Sequence, residues 1–183
     1  MEREQIQALA AEAGFAMAEV IDTDQVVMVP EYRKFCEENR CGNYGKNYGC
    51  PPACGTVQDM MDRIHSCRRA IVFQSKTPVK DITDGVETKV IKKMHTRMTL
   101  KAMELLEKAG MSMDGFPVMA GPCNLCDTCK MPEGKPCPHE KLRFSCLSAY
   151  CIDAAKLAEA CSMELKWNGE EVSFFSLYVF DKK

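Results

Sequence analysis

Eight of the chain's twelve cysteines fall in two short stretches, Cys36 to Cys54 and Cys123 to Cys137. Any fold the chain adopts must hold both stretches where their thiols have something to bind. The N-terminus, MEREQIQALAAEAG, has neither the basic start nor the continuous apolar run of a secretory signal. That implies a cytoplasmic protein whose thiols stay reduced, and in that setting clustered cysteines mean metal ligation rather than disulfides. Isolated thiols are a different matter, since a free cysteine is most often a small buried hydrophobe. Cys67 and Cys161 read that way. Cys146 and Cys151, flanking an expected helix start, read as packing.

The second stretch reads Cys123-Asn-Leu-Cys126-Asp-Thr-Cys129, with Cys137-Pro138 following. A cubane iron–sulfur cluster offers irons at separate corners, so one tight turn can set three thiolates on three irons while a later cysteine takes the fourth. A zinc ion is one centre, and it usually draws its cysteines in pairs from two turns. The stretch keeps the C-x2-C-x2-C start and the Cys-Pro ending of bacterial cluster-binding loops, but its last gap is seven residues instead of three. Zinc stays open as the alternative metal, because His139 stands two residues beyond Cys137 and would complete a Cys3His set.

The first stretch, Cys36-x4-Cys41-x8-Cys50-x3-Cys54, matches no metal spacing of general use. Its surroundings suit an anionic cluster nonetheless. Gly42, Gly45 and Gly49 let backbone N–H groups turn toward sulfur. Tyr44 and Tyr48 are candidates to exclude water, and Arg33, Lys34, Arg40 and Lys46 add positive potential. A plain polar surface loop would carry many of the same residues.

Hydrophobic periodicity supplies the frame. Met1 to Ala13 reads as a helix stopped by Gly14. Phe15 to Val20 and Val26 to Val29 read as short strands, and Ala70 to Phe73 as a strand buried on both sides. A helix from Val57 to Cys67 is entered through Thr56, with Asp59 opposite. Asp84 to Gly110 is the clearest helix. Val90, Ile91, Met94, Met98, Ala102, Leu105, Leu106 and Ala109 form its apolar stripe, and Lys89, Lys92, Lys93, Arg97 and Lys101 a basic face. His65 and His95 read as exposed helix residues. Pro117 to Ala120 reads as a strand leading into the second cysteine stretch, and Ser145 or Ser148 as the start of a helix reaching Cys161. Met163 to Trp167 and Val172 to Val179 form a hairpin over Asn168-Gly169. The expected fold is one α/β (α+β) domain spanning 1–183, a mixed-sheet sandwich with both cysteine loops at one edge of the sheet.

Several segments together resemble a known family, the cysteine-rich predicted metal-binding proteins of domain of unknown function 2284, found mostly in anaerobic bacteria and archaea. The matching segments are Cys36-Glu-Glu-Asn-Arg-Cys41-Gly-Asn-Tyr-Gly, Cys50-Pro-Pro, Gly121-Pro-Cys-Asn-Leu-Cys-Asp-Thr-Cys129, Pro136-Cys137 and Ala149-Tyr150-Cys151-Ile152-Asp153. The resemblance implies metal binding through Cys36, Cys41, Cys50, Cys123, Cys126, Cys129 and Cys137, and implies no particular reaction. Cys54 stands where the family more often has an aliphatic residue, Cys151 where it has glycine, and Arg143-Phe-Ser-Cys146 replaces a more proline-rich stretch.

Seven cysteines do not divide into two sets of four. In one arrangement Cys123, Cys126, Cys129 and Cys137 hold one cluster, while Cys36, Cys41 and Cys50 hold another with Cys54 as the fourth ligand. Alternatively, ligands cross between the loops, or only one cluster is present. The expected function is that of an iron–sulfur protein with one or two clusters of the [4Fe-4S] type, in electron transfer or redox sensing with a redox partner protein. A zinc-stapled interaction module and an accessory reductase with an open iron site are the alternatives. A net charge of −2 gives no pull toward nucleic acid, and no apolar run reaches membrane-spanning length.

Overall fold

The structure, a computed structural model, describes residues 1–82, 84–167 and 170–183. Among the described residues the chain forms five α-helices and one five-stranded sheet. The strands are β1 Met17–Asp22, β2 Cys67–Pro78, β3 Phe116–Met119, β4 Ser145–Cys146 and β5 Glu171–Lys182. They lie in the order β1-β2-β5-β3-β4, antiparallel except for the β3–β4 pair, so the sheet is mixed. The long strands β2 and β5 occupy its middle.

Both faces of the sheet are covered, and for that reason the middles of the two central strands carry buried apolar side chains on both faces, with Gln74, Ser75, Ser173 and Ser176 as buried polar exceptions. Side chains alternate across a strand. Ala70 and Val72 of β2 and Phe175, Leu177 and Val179 of β5 face one core, which also holds Met60, Ile64 and Leu157. Ile71, Phe73, Tyr178 and Phe180 face the other, with Ile6, Ala10, Ala102 and Leu106. The first layer is built by α3 Val57–His65 and α5 Ala154–Ala160, the second by α1 Arg3–Ala13 and α4 Gly85–Lys108. The expected α+β sandwich is what the chain forms.

Local signals explain most boundaries. α1 stops at Gly14, whose φ of 106° is easy only for glycine. α3 opens with a full capping box: Thr56 Oγ1 accepts from the Asp59 amide, and Asp59 accepts from the Thr56 amide at 2.8 Å. α4 begins under Asp84, whose carboxylate accepts from the amides of Val86 and Glu87.

Four expectations give way. Val26 to Val29 is no sheet strand; after a 3-10 turn at Thr23–Gln25 the chain leaves the sheet, and Met28 bridges Ile152. The helix expected from Ser145 or Ser148 begins only at Ala154, capped by Asp153, because Cys151 sits at φ 57° and keeps the hydrogen-bonded turn before it from continuing as a helix. The partner of the last strand is reduced to one bridge, Trp167 to Val172, and the Asn168-Gly169 turn lies outside the described residues. Finally, α4 departs from its apparent stripe in part, although Ile91, Ala102 and Leu106 are buried as expected. Val90 and Met94 are half exposed, while His95, Thr96 and Thr99 are buried. The sheet beneath α4 presents Ser75 and Ser176, and polar partners draw in polar residues: the His95 ring meets Ser75 Oγ at 2.7 Å and Ser176 Oγ at 2.9 Å.

Candidate metal centre

The second cysteine stretch runs between β3 and β4, leaving the sheet after Met119 and rejoining it at Ser145. Within it, Cys123, Cys126, Cys129 and Cys137 all line one small cavity, together with His139 and Arg143. Desolvation and then the facing thiols of Cys137, Cys123 and Cys129 push the Cys126 thiol above its ordinary value. A cation among these sulfurs would offset that penalty at Cys126. The cavity measures about 20 Å3, room for about one water, so the fit to a metal group rests on the donors and not on the space.

Tyr48, from the first stretch, closes the same cavity. Its hydroxyl donates to the Lys135 carbonyl at 2.8 Å, and Arg143 lies over its ring. Tyr44 goes to the other site.

The first stretch follows the short helix α2 Arg33–Glu37. Cys36, Cys41 and Cys50 line a cavity of about 180 Å3, and the fourth cysteine on its wall is Cys146 of β4. Burial and then the neighbouring Cys146 raise the Cys36 thiol to about 11, with Arg33 opposing. Burial followed by Cys146 raises Cys50 further, and burial raises Cys146 itself. Arg40, Tyr44 and Lys92 complete the wall. Lys92 reaches it from α4, a cation that nothing in the loop's own sequence announces.

Cys54, the expected fourth member, does not line this cavity. It packs against the apolar core under the sheet, with Arg33 lowering its thiol against the larger upward effect of burial. Cys151 is fully buried and also neighbours Arg33. Of the four basic residues expected near the first loop, Arg40 lines the cavity and Arg33 stands behind it; Lys34 and Lys46 do not line it. Cys67 and Cys161 are buried in the core, as read from the sequence.

The seat of the first quartet is residues 145–153. Val29 N–H donates to the Cys151 carbonyl and Asp153 N–H to the Val27 carbonyl, zipping the segment before α2 onto it. Arg33 adds a bond to the Ala149 carbonyl at 3.1 Å. Asp153 caps α5 through the amides of Ala155 and Lys156 and accepts from the Tyr32 hydroxyl. Tyr150 is buried and stacks on Phe116, so it anchors the segment to the core.

Cys146 reads as packing in the sequence but lines the first cavity, and Asn47 carries no signal there at all. Cys146 follows the second stretch in sequence yet lies beside the cysteines of the first. Asn47 is buried between the loops, its amide donating to the Cys123 carbonyl at 2.8 Å. All twelve cysteines are free. Among the described residues no group of three or more His, Cys, Asp or Glu side chains is placed to hold a single metal ion, and no helix is long and apolar enough to cross a membrane.

No curated protein and no solved structure matches the chain. One family model does, over residues 19–180, a span that takes in both cysteine stretches, Cys146 and every strand from β2 to β4. The chain therefore belongs to the family described as predicted metal-binding protein, DUF2284.

Proposed function

We propose that the protein is a two-site iron–sulfur protein of the reducing cytoplasm that passes single electrons to and from a redox partner. Cys123, Cys126, Cys129 and Cys137 hold one [4Fe-4S]-type cluster; Cys36, Cys41, Cys50 and Cys146 hold the other. The observation that carries this reading is the sorting of eight cysteines into two quartets, each lining its own cavity. The C-x2-C-x2-C turn favours a core with separate metal corners over one ion.

A cluster so bound supplies a reversible one-electron couple, with a potential set by hydrogen bonds to sulfur, charge and solvent access. The chain's own residues govern those quantities. Tyr48 and Tyr44 each cover one quartet against water, while Arg40 and Lys92 set positive charge beside the first. The two cations lower the cost of adding an electron to an anionic centre, while excluding water raises it.

Iron, acid-labile sulfide and zinc counted per chain after strictly anaerobic isolation test the proposal. About eight irons and eight sulfides are expected for two cubanes. Colourless protein without labile sulfide overturns it. His139 on the wall of the second cavity favours a zinc module as the second reading. That reading expects one or two zinc ions and unfolding by chelators.

A further inference from the structure

The two quartets meet at one backbone contact. Gly49, the residue before Cys50, is pressed against the second loop. A Cβ built on it would stand 2.1 Å from the Phe144 carbonyl oxygen and 3.0 Å from Cys123 Cβ. The φ of Gly49 is not among the positive ones, so glycine is needed here for space and not for conformation. Asn47 locks the contact from the side. Its amide donates to the Cys123 carbonyl at 2.8 Å, and its oxygen accepts from the Gly49 amide at 2.9 Å. The Asn47 side chain is thereby satisfied on both loops, with only 5% of the residue exposed.

Cys50 belongs to the first quartet and Cys123 to the second. Between them stand one residue step, about 3.8 Å between Cα atoms, a gap at Gly49 too narrow for a Cβ, and the Asn47 amide that bonds both loops. The loops also share walls. Asn47 and Tyr48 of the first stretch line the second cavity, while Gly121 and Pro122 of the second stretch line the first. The fold has not merely placed two thiol sets on one domain; it has interleaved them and spent a glycine on bringing them closer.

We infer that the two centres are in electronic contact across the Asn47–Gly49–Cys123 junction and exchange electrons within the molecule. The inference rests on the proposed reading that both quartets hold iron–sulfur clusters. The step is a bare electron transfer: one centre is oxidised by one electron as the other is reduced by one, and no bond or proton changes. The first electron comes from an external low-potential one-electron donor. Tunnelling falls exponentially with separation, so a junction one residue thick keeps exchange fast, whereas centres at opposite ends of the sheet would act separately.

The test is a dithionite titration of the full-length protein, loaded with iron and sulfide without oxygen and followed by electron paramagnetic resonance. Metal and sulfide are counted on the same samples. Partly reduced protein should show a simple signal from molecules carrying one electron. Full reduction should add splitting, broadening and faster relaxation that no sum of two independent signals reproduces. Cys126→Ser/Cys129→Ser, which removes the second quartet, should keep the simple signal at full reduction. Should that variant fail to fold, the wild-type titration decides alone. A fully reduced spectrum equal to two superposed simple signals overturns the inference while leaving two clusters in place. Iron in one quartet with zinc in the other overturns it as well. Protein with no iron or sulfide sinks the underlying reading, and the metal count tells that failure apart.

Discussion

The Cys36 thiol donates to the carbonyl oxygen of Ser148 at 3.6 Å, joining residues 112 positions apart. That contact sets the first loop against the segment carrying Cys146 and decides which cysteine faces its quartet. Cys54 lies nearer in sequence, but the chain turns it inward against the core.

Cys146→Ser should therefore abolish the first centre while leaving the second, halving iron and sulfide to about four each per chain. Cys54→Ser should retain the full complement. Its cost should be confined to stability, about 1 kcal/mol for a hydroxyl left in an apolar contact. Iron and sulfide analysis of the two anaerobically isolated variants checks the pair. Metal loss in the Cys54 variant alone would return that residue to the ligand set.

His139→Ala separates the two metals at the second quartet. Four thiols suffice for a cubane, so iron and sulfide should be unchanged and only the visible spectrum of the protein should shift slightly. A Cys3His zinc site would lose a ligand, and zinc content would fall with it. Elemental analysis of the variant beside wild type reads the difference directly.

How far the sequence foretold this molecule depends on the range of the physics involved. Signals confined to one turn were legible: Gly14 ends α1, Thr56 and Asp59 open α3, and the unbroken apolarity of Ala70 to Phe73 placed β2 inside the sheet. The gathering of Cys123, Cys126, Cys129 and Cys137 about one cavity also lies within a single loop. The first cavity takes part of its wall from Cys146 of β4, and no local pattern records that pairing. The segment Cys146 to Asp153 misled for a related reason. Its composition suits a helix, yet Cys151 at positive φ and the bridge to Met28 hold it as a seat for the first loop. On α4 the apolar stripe holds at Ile91, Ala102 and Leu106 but not at Val90 and Met94, since His95 is drawn inward by the hydroxyls of Ser75 and Ser176 on the two strands beneath it.

Asp153 should prove the most sensitive polar residue of that seat. Asp153→Ala removes the cap of a seven-residue helix and the acceptor of the Tyr32 hydroxyl. A loss of about 1–2 kcal/mol is expected, with Asp153→Asn recovering a large part of it. Denaturant unfolding of the loaded protein measures both, and metal retention should fall in parallel with stability because the segment seats the first loop.

His95 predicts how the protein responds to acid. The ring is 1% exposed, edge-on to Phe15 and Phe174, and its two nitrogens meet only the hydroxyls of Ser75 and Ser176. Burial lowers its pKa from 6.5 to about 3. The folded state thus keeps His95 neutral while the unfolded chain takes up the proton. Protons bind the unfolded state in excess between these two values, so stability is full above pH 6.5 and declines as pH falls toward 3. The slope from this one group approaches about 1.4 kcal/mol per pH unit in mid-window. His95→Gln should be less stable at pH 7 by about 1–3 kcal/mol, for lost packing and an incompletely paired serine. The variant should also show a shallower fall in stability between pH 6.5 and 4.5 than wild type. Equal pH slopes for the two proteins in denaturant unfolding would mean that the ring is already charged in the folded state, hydrogen-bonding both serines as a double donor.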